Sequence, residues 1–425
     1  MRAEKNNIFY GIDWVLILLY LILVAFGWTN IYAATVSDTS GSLLDFSTRY
    51  GKQLLWILLC IPLIIVILFF NSKFYERFAS IIYFVGLCFL AGVLVFGKKI
   101  NGATSWYDFG GMSLQPSEFA KAFTALAVAK LLSDKQYNLK LIKNQIKAFI
   151  IIFLPAFFIA LQPDMGSVLI YISFFFVLNR EGLTLNYIII GSIAIVLFFL
   201  TLLFGATTVT LLIFSLLSLF IAYFLRKNKG YLKFNWHKFL GIYLVIGLFI
   251  FSTSYIYNSV FEQHQRDRFD ILLGISQDTR EIGYNTNQSI QTISSGGFSG
   301  KGFLDGDRTQ GKFVPEQDTD YIFSTVGEEW GFLGTSFVVI TFMLLLYRII
   351  YLAESHTNKF GRIYGYSLAS ILFFHVLINI GMVIQLLPTV GIPLPFFSYG
   401  GSSLWGFTLL LFIFIRLDAN KSYDW

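Results

Sequence analysis

From residue 14 onward the chain reads as long apolar runs broken by short polar intervals, not as the strict alternation of half-buried strands. A transmembrane helix needs about 20 predominantly apolar residues. On that basis twelve spans are predicted, near 14–35, 51–70, 78–97, 116–132, 148–162, 165–179, 185–204, 206–225, 239–257, 321–347, 364–387 and 398–415. The fifth and sixth are short, and a tight turn at Gln162-Pro163-Asp164 joins them. The pair at 185–225 also reads as one broken hairpin, which sets the range at ten to twelve. Backbone groups cannot go unpaired in hydrocarbon, so every span is expected to be helical. The predicted fold class is an all-α polytopic integral membrane protein, a single membrane domain over residues 1–425.

One interval breaks the pattern. Residues 261–334 hold carboxylates, arginines, lysines and glycines between segments that are almost wholly apolar. A loop that long, placed here at 258–320, is usually either functional or disordered.

Composition agrees with the pattern. The chain is 56% hydrophobic and 13% charged, against about 25% charged residues in ordinary soluble chains. That excludes a soluble globular protein, because no core of this length could hide so much apolar surface. The first run follows a basic start, MRAEKNN. It is longer than the roughly 7–15 residues of a signal-peptide core and reads as the first span. Cys60 and Cys88 both fall inside apolar runs and read as packing residues. The net charge of +6 is no nucleic-acid footprint, since its position carries the information. With the N-terminus in the cytoplasm, inner loops carry Lys135, Lys140, Lys143 and Lys147, then Arg226, Lys227, Lys229, Lys233 and Lys238. The short outer loops hold only Arg49, Lys52, Lys98 and Lys99. Basic residues favour the cytoplasmic side, so both termini are expected inside and 258–320 outside. The tract at 226–238 would then face anionic lipid.

That orientation gathers the polar outliers on one side. Glu118 and Lys121 lie three residues apart on one helical face, behind Pro116 at a helix start. An ionisable pair near the membrane is a functional hypothesis by default; a salt bridge that orients the span is the plainer reading. Asp164 reads as a turn and helix cap. In the long loop, Arg266 and Arg268 could hold a phosphate-bearing ligand. Asp278 stands where a general base could reach an incoming hydroxyl. The glycine-rich run at 294–302, with Lys301, could either pack backbone closely or cradle an anion. Glu316, Asp318, Asp320, Glu328 and Glu329 could bind a divalent cation through oxygen ligands, although no metal-ligand spacing is recognisable. The run LPTVGIPLPFFSYGGSS at 387–403 reads as a re-entrant or tightly turned segment, tolerated where protein surrounds it. His375, alone inside a span, reads as a packing or hydrogen-bonding residue.

Taken in order, GATSW…GGMSLQPSEFAK, LQPDMGS, the GY–QS–SGG–GKG run at 283–302, VPEQDTDYIFSTVGEEWGFLG and GIPLPFFSYGGSS resemble the SEDS family (shape, elongation, division and sporulation) across most of the chain. The last motif is closer to the RodA branch than to the FtsW branch. The resemblance implies a peptidoglycan glycosyltransferase that polymerises lipid II at the outer face of the plasma membrane, for elongation and rod shape. It implies Asp278 as the essential carboxylate. It implies Glu118, Lys121 and Asp164 as further functional polar positions, and Gln288 and Ser289 of the QS motif as substrate-binding. Asp278-Thr279 stands where the family has Asp-Pro. The family has ten spans, so 185–225 looks like an inserted helical hairpin. No cofactor is implied with certainty. The implied partner is a class B penicillin-binding protein, a transpeptidase, alongside membrane lipids and no nucleic acid.

The chemistry of the residues fits. A carboxylate can take the proton from the attacking hydroxyl, and cations can stabilise a departing diphosphate; Arg266, Arg268, Lys301 and Lys121 are the candidates. A flippase moving the same lipid is the alternative, but a transporter should place its polar residues near the midplane. The predicted outliers cluster at the outer boundary instead.

Overall fold

The computed structural model describes residues 11–36, 45–100, 103–108, 110, 113–227, 231–261, 263–275 and 282–421. The chain divides into two compact units, Met1–Leu183 with Asn285–Trp425, and Thr184–Tyr284.

The first unit opens with α1 (Trp14–Thr35), α2 (Arg49–Phe69) and α3 (Ser72–Phe96). Asp13 caps α1 by accepting the Leu16 amide at 2.9 Å, and Thr48 caps α2 by accepting that of Gly51 at 3.2 Å, the arrangement that orphan N-terminal amides favour. After a small sheet come α4 (Pro116–Ser133), with Pro116 in its first turn, and α5 (Ile142–Ala160). The sixth run is broken: α6 (Met165–Ile170), a 3₁₀ turn over Tyr171–Ser173, then α7 (Phe174–Arg180).

The second unit holds α8 (Asn186–Phe204), α9 (Ala206–Lys227), α10 (Tyr231–Tyr255) and α11 (Gln263–Leu272). A glycine at φ 78°, Gly205, turns α8 into α9. Tyr243 of α10 meets α9 through the Ser218 hydroxyl at 2.7 Å and the Phe214 ring edge.

The chain then continues through α12 (Ile282–Ser295), α13 (Asp307–Gln310), α14 (Ile322–Glu354), α15 (Lys359–Val383) and α16 (Gly401–Ala419). Gly331, at φ 62°, kinks α14 one-third of the way along. All twelve predicted runs are helical, and among the described residues ten helices are long and apolar enough to cross a membrane.

The two remaining runs depart for physical reasons. One is the broken α6–α7 segment. The other is α4, too polar to count as an ordinary span, and it lies at the heart of the first unit. From Pro116 to Ala129 only Phe119 and Phe123 are incompletely buried. Its neighbours are α3, α5, α15 and α16. Five alanines among residues 120–129 keep its surface slim, which lets neighbouring backbones approach. Cys60 is buried in the bundle, whereas Cys88 is exposed on α3.

Two stretches expected as loops carry structure. Between α3 and α4 the described residues form a three-stranded antiparallel sheet, β1 (Lys98–Ile100), β2 (Ala103–Asp108) and β3 (Ser113–Leu114), in the order β1-β2-β3. Thr104, Trp106 and Tyr107 suit a pleated surface, and a Lys98–Asp108 ion pair of 2.6 Å ties its edge. The described part of the interval 258–320 holds three helices, α11, α12 and α13.

Candidate functional site

The polar residues singled out in the sequence fall mainly on one end of the first unit, where α4, α12, α14 and α16 begin and α15 ends. At its centre is a buried trio. The Lys121 Nζ donates to Glu118 Oε2 at 2.8 Å and lies 2.9 Å from His375 Nε2 on α15. Its third direction meets the Phe407 ring, 4.7 Å from the centroid. All three side chains are at most 3% exposed. An ammonium has three donors and no acceptor, so each direction is accounted for.

Asp164 is the N-cap of α6, accepting from the Ser167 amide at 3.1 Å and its hydroxyl at 2.8 Å. It also accepts from Gln115 Nε2 at 2.9 Å. The cap therefore also fastens the residue that precedes α4. From the other side, Ser402 Oγ accepts the Gln115 amide at 3.1 Å and donates to Ser113 O at 2.9 Å, joining β3 to the start of α16.

The segment between α15 and α16 is irregular and buried; Ile392, Leu394, Phe396 and Phe397 are at most 3% exposed. Its backbone is satisfied by named side chains. Asn379 Nδ2 donates to Ile392 O at 2.7 Å and Asp320 O at 2.8 Å. Ser398 Oγ donates to Thr319 O at 2.7 Å, and the Tyr399 amide to Asp318 O at 2.9 Å. Arg49 grips both Asp318 oxygens, at 2.6 and 2.7 Å.

The glycine-rich run packs backbone against backbone. The Lys301 and Gly302 amides donate to the Glu328 and Glu329 carbonyls at 3.0 Å, and those of Phe332 and Leu333 donate back to Gly297 and Phe298 across the Gly331 kink. Lys301 Nζ bonds Glu328 at 2.8 Å and Asp307 at 3.0 Å, and these carboxylates hold its pKa above the ordinary lysine value. The buried Glu328 carboxylate also accepts from Ser295, from the Arg308 and Thr309 amides, and from the Thr309 hydroxyl. At Gly300 (φ 81°) a Cβ would stand 2.1 Å from Glu329 O, while at Gly297 (φ 57°) it would meet nothing within 4 Å. Gly300→Ala is therefore expected to destabilise the protein by about 1–3 kcal/mol through overpacking, on top of the left-handed strain that both sites share. Thermal unfolding in detergent should show a clearly larger drop in Tm for Gly300→Ala than for Gly297→Ala.

Of the QS motif, Ser289 donates to Val383 O at 3.0 Å, completely buried. Gln288 accepts from the Arg308 guanidinium, which also donates to Thr292 Oγ1 at 3.1 Å and Gln291 Oε1 at 3.0 Å. Arg266 and Arg268 lie on α11 of the second unit, with Arg266 reaching Asn258 O at 3.5 Å. Asp278 lies outside the described residues, between α11 and α12. The carboxylates considered for a cation are dispersed: Asp318 to Arg49, Glu328 to Lys301, Glu316 to the Thr319 hydroxyl. Among the described residues no group of three or more His, Cys, Asp or Glu is placed to hold a metal ion.

Sequence reasoning missed Arg49, Arg308 and the partnership of His375. The first two sit in polar stretches where any cation looks solvated. For His375 one signal was available, since a lone histidine and a lone lysine in separate apolar spans each need a polar partner.

The family profile described as "Cell cycle protein", which joins FtsW, RodA and SpoVE, matches residues 13–231 and 230–423. The chain is 30% identical to the peptidoglycan glycosyltransferase RodA of Treponema pallidum (strain Nichols), over 96% of this chain and 98% of that protein. It is also 30% identical to the peptidoglycan glycosyltransferase MrdB of Escherichia coli (strain K12), over 92% and 90%. Among solved structures, a chain from work on the structural coordination of polymerization and crosslinking by a peptidoglycan synthase complex superposes with a TM-score of 0.70 at 24% identity, over 97% of this chain and 99% of that one. The rod shape determining protein RodA of Thermus thermophilus superposes at 0.62 and 22%, over 98% and 99%.

Proposed function

The chain belongs to the FtsW, RodA and SpoVE family of cell cycle proteins, and from that premise we propose that it is a RodA-type peptidoglycan glycosyltransferase that polymerises lipid II. The observation that carries the reading is that full-length relatives of that name align over nearly the whole chain. The arrangement of the first unit supports it: Glu118, Asp164, Asp318 and the Leu387–Gly400 segment all belong to helix starts and connections at one end of the bundle.

In the proposed reaction Asp278 takes the proton from the attacking sugar hydroxyl. That oxygen forms the new glycosidic bond as the bond from the donor's anomeric carbon to the diphosphate breaks, and undecaprenyl diphosphate leaves. One carboxylate base without a carboxylate nucleophile gives a single displacement with inversion. The departing charge needs cations. Lys121 and Lys301 are both bound to carboxylates, which favours a structural part for them. Arg266 and Arg268 of α11, the helix just ahead of Asp278, are the better candidates for the diphosphate. The protein would lie in the inner membrane with both termini cytoplasmic and 258–320 outside. Its partner would be a class B penicillin-binding protein, in keeping with the polymerization and crosslinking of the structural relative's complex.

The test is reconstitution of the purified protein, with such a transpeptidase, in liposomes carrying fluorescent lipid II. A ladder of glycan products is expected on a denaturing gel. Lipid II that crosses the bilayer without polymerising would instead establish the flippase alternative.

A further inference from the structure

Two residues one turn apart on α15 face the irregular segment between α15 and α16. Asn379 holds the Ile392 carbonyl at 2.7 Å, and His375 Nδ1 lies 3.4 Å from the next carbonyl, Pro393 O. The other ring nitrogen of His375 faces Lys121 Nζ at 2.9 Å. An ammonium only donates, so Nε2 must accept and the ring's proton must sit on Nδ1, directed at Pro393 O. The imidazole is neutral in that tautomer and 1% exposed. The groups around it are Lys121 and, through it, Glu118 from α4, the Pro393 carbonyl, and the Phe407 ring of α16 edge-on at 4.7 Å.

We propose that His375 is a positioning residue for glycosyl transfer, its ring coupling the charged pair on α4 to the Leu387–Gly400 segment. The segment's own hydrogen bonds join Leu394 to Phe397 and Ser398, whereas the Ile392 and Pro393 carbonyls face donors on α15. Pro388, Pro393 and Pro395 have no amide to give, and Phe396 adopts a φ of 64°. A buried carbonyl left without a donor is costly, so the segment relies on side chains from α15. It is in turn stitched to Asp318 and Thr319 ahead of α14, and Asn379 holds the Asp320 carbonyl beside them. A displacement at His375 is therefore passed both to Lys121 and to the connection that closes the polar end.

The activity arm of the proposal rests on the glycosyltransferase reading; the structural arm does not. The experiment compares full-length wild type, His375→Gln and His375→Leu, each shown by size exclusion to be monodisperse. Glutamine can still accept from Lys121 and donate to Pro393, whereas leucine can do neither. In hydrogen exchange without substrate, His375→Leu should open residues 387–400 about fivefold more readily, the loss of one hydrogen bond. With the transpeptidase partner and lipid II, its kcat should fall about 10²-fold, as for a small misplacement of a reacting group, with KM within about threefold. His375→Gln should stay within about threefold of wild type in both assays. The proposal is overturned if His375→Leu leaves exchange at 387–400 or kcat unchanged, or if His375→Gln is as impaired as His375→Leu. If wild type makes no glycan, the glycosyltransferase reading fails and with it the catalytic half of the proposal, while exchange still decides the coupling.

Discussion

Asp278→Ala is expected to abolish glycan synthesis while leaving the protein folded and the partner bound. General-base catalysis contributes typically about 10²–10⁴-fold, which sets the size of the expected loss. The residue belongs to the nine-residue stretch 273–281, between the end of α11 at Leu272 and the start of α12 at Ile282. Substitution is expected to leave Tm unchanged, which thermal unfolding in detergent checks. Asn is the sharper variant, since it keeps the shape and removes the charge. Steady-state polymerisation of fluorescent lipid II should show both variants at background. In wild type, kcat/KM should fall as pH drops through the pKa of the base, because only the ionised carboxylate accepts a proton. Activity in Asp278→Asn above about a tenth of wild type would remove Asp278 as the base. Thr279→Pro, which restores the residue the resemblance leads one to expect, should be tolerated.

Lys121→Leu is expected to be the most destabilising single change in the first unit. It leaves the Glu118 carboxylate, 3% exposed, without its cation. Removing one partner of a buried pair costs about 3–5 kcal/mol, because a buried charge is left uncompensated. Glu118→Leu strands the lysine in the same way, with His375 as its one hydrogen-bonding partner left among the described residues. Replacing both by leucine should restore much of the loss, since buried pairs are often no better than well-packed apolar residues. Thermal unfolding in one detergent would order the set as wild type and the double variant above either single variant. Equal Tm values for the single variants and wild type would show that the pair does not hold α4. Polymerisation by the double variant separates the remaining roles: a stable but inactive protein needs the pair for chemistry or positioning, and not only for folding.

The spans were legible because lipid as solvent demands long apolar runs, and nothing else in the chain mimics them. What hydropathy could not convey was the enclosure of α4 and the existence of α12. In α4 Ser117, Glu118, Lys121 and Thr124 are buried in protein, so a helix of modest apolarity is largely enclosed. In α12 the buried face is Thr286, Ser289 and Thr292, hydroxyls that find partners inside the protein or in their own helix, as Ser289 does at Val383. A stripe of small hydroxyls reads as loop in any hydrophobic pattern. The glycine-rich run left two alternatives open, packing or anion binding, and its hydrogen bonds to α14 favour packing. Lys121 and His375 are 254 residues apart, and no local pattern records such a pair. Asp278 stood out by its place in the polar loop, and motif order added its expected essential role.

The enclosure of α4 also bears on how the chain is made. Residues 116–133 leave the ribosome long before α15 and α16, yet those helices supply His375 and Phe407. Inserting a lysine or an aspartate at mid-bilayer costs about 2.5–3.5 kcal/mol on the biological scale. An early Glu118–Lys121 bond, one turn apart on the same helix, reduces that penalty, and α3 and α5 are already present to flank it. Until the last two spans arrive, α4 is a half-covered polar helix among lipids. A chain truncated after α14 should therefore be recognised as incomplete and degraded, even though most of its spans are individually hydrophobic enough to stay in the membrane.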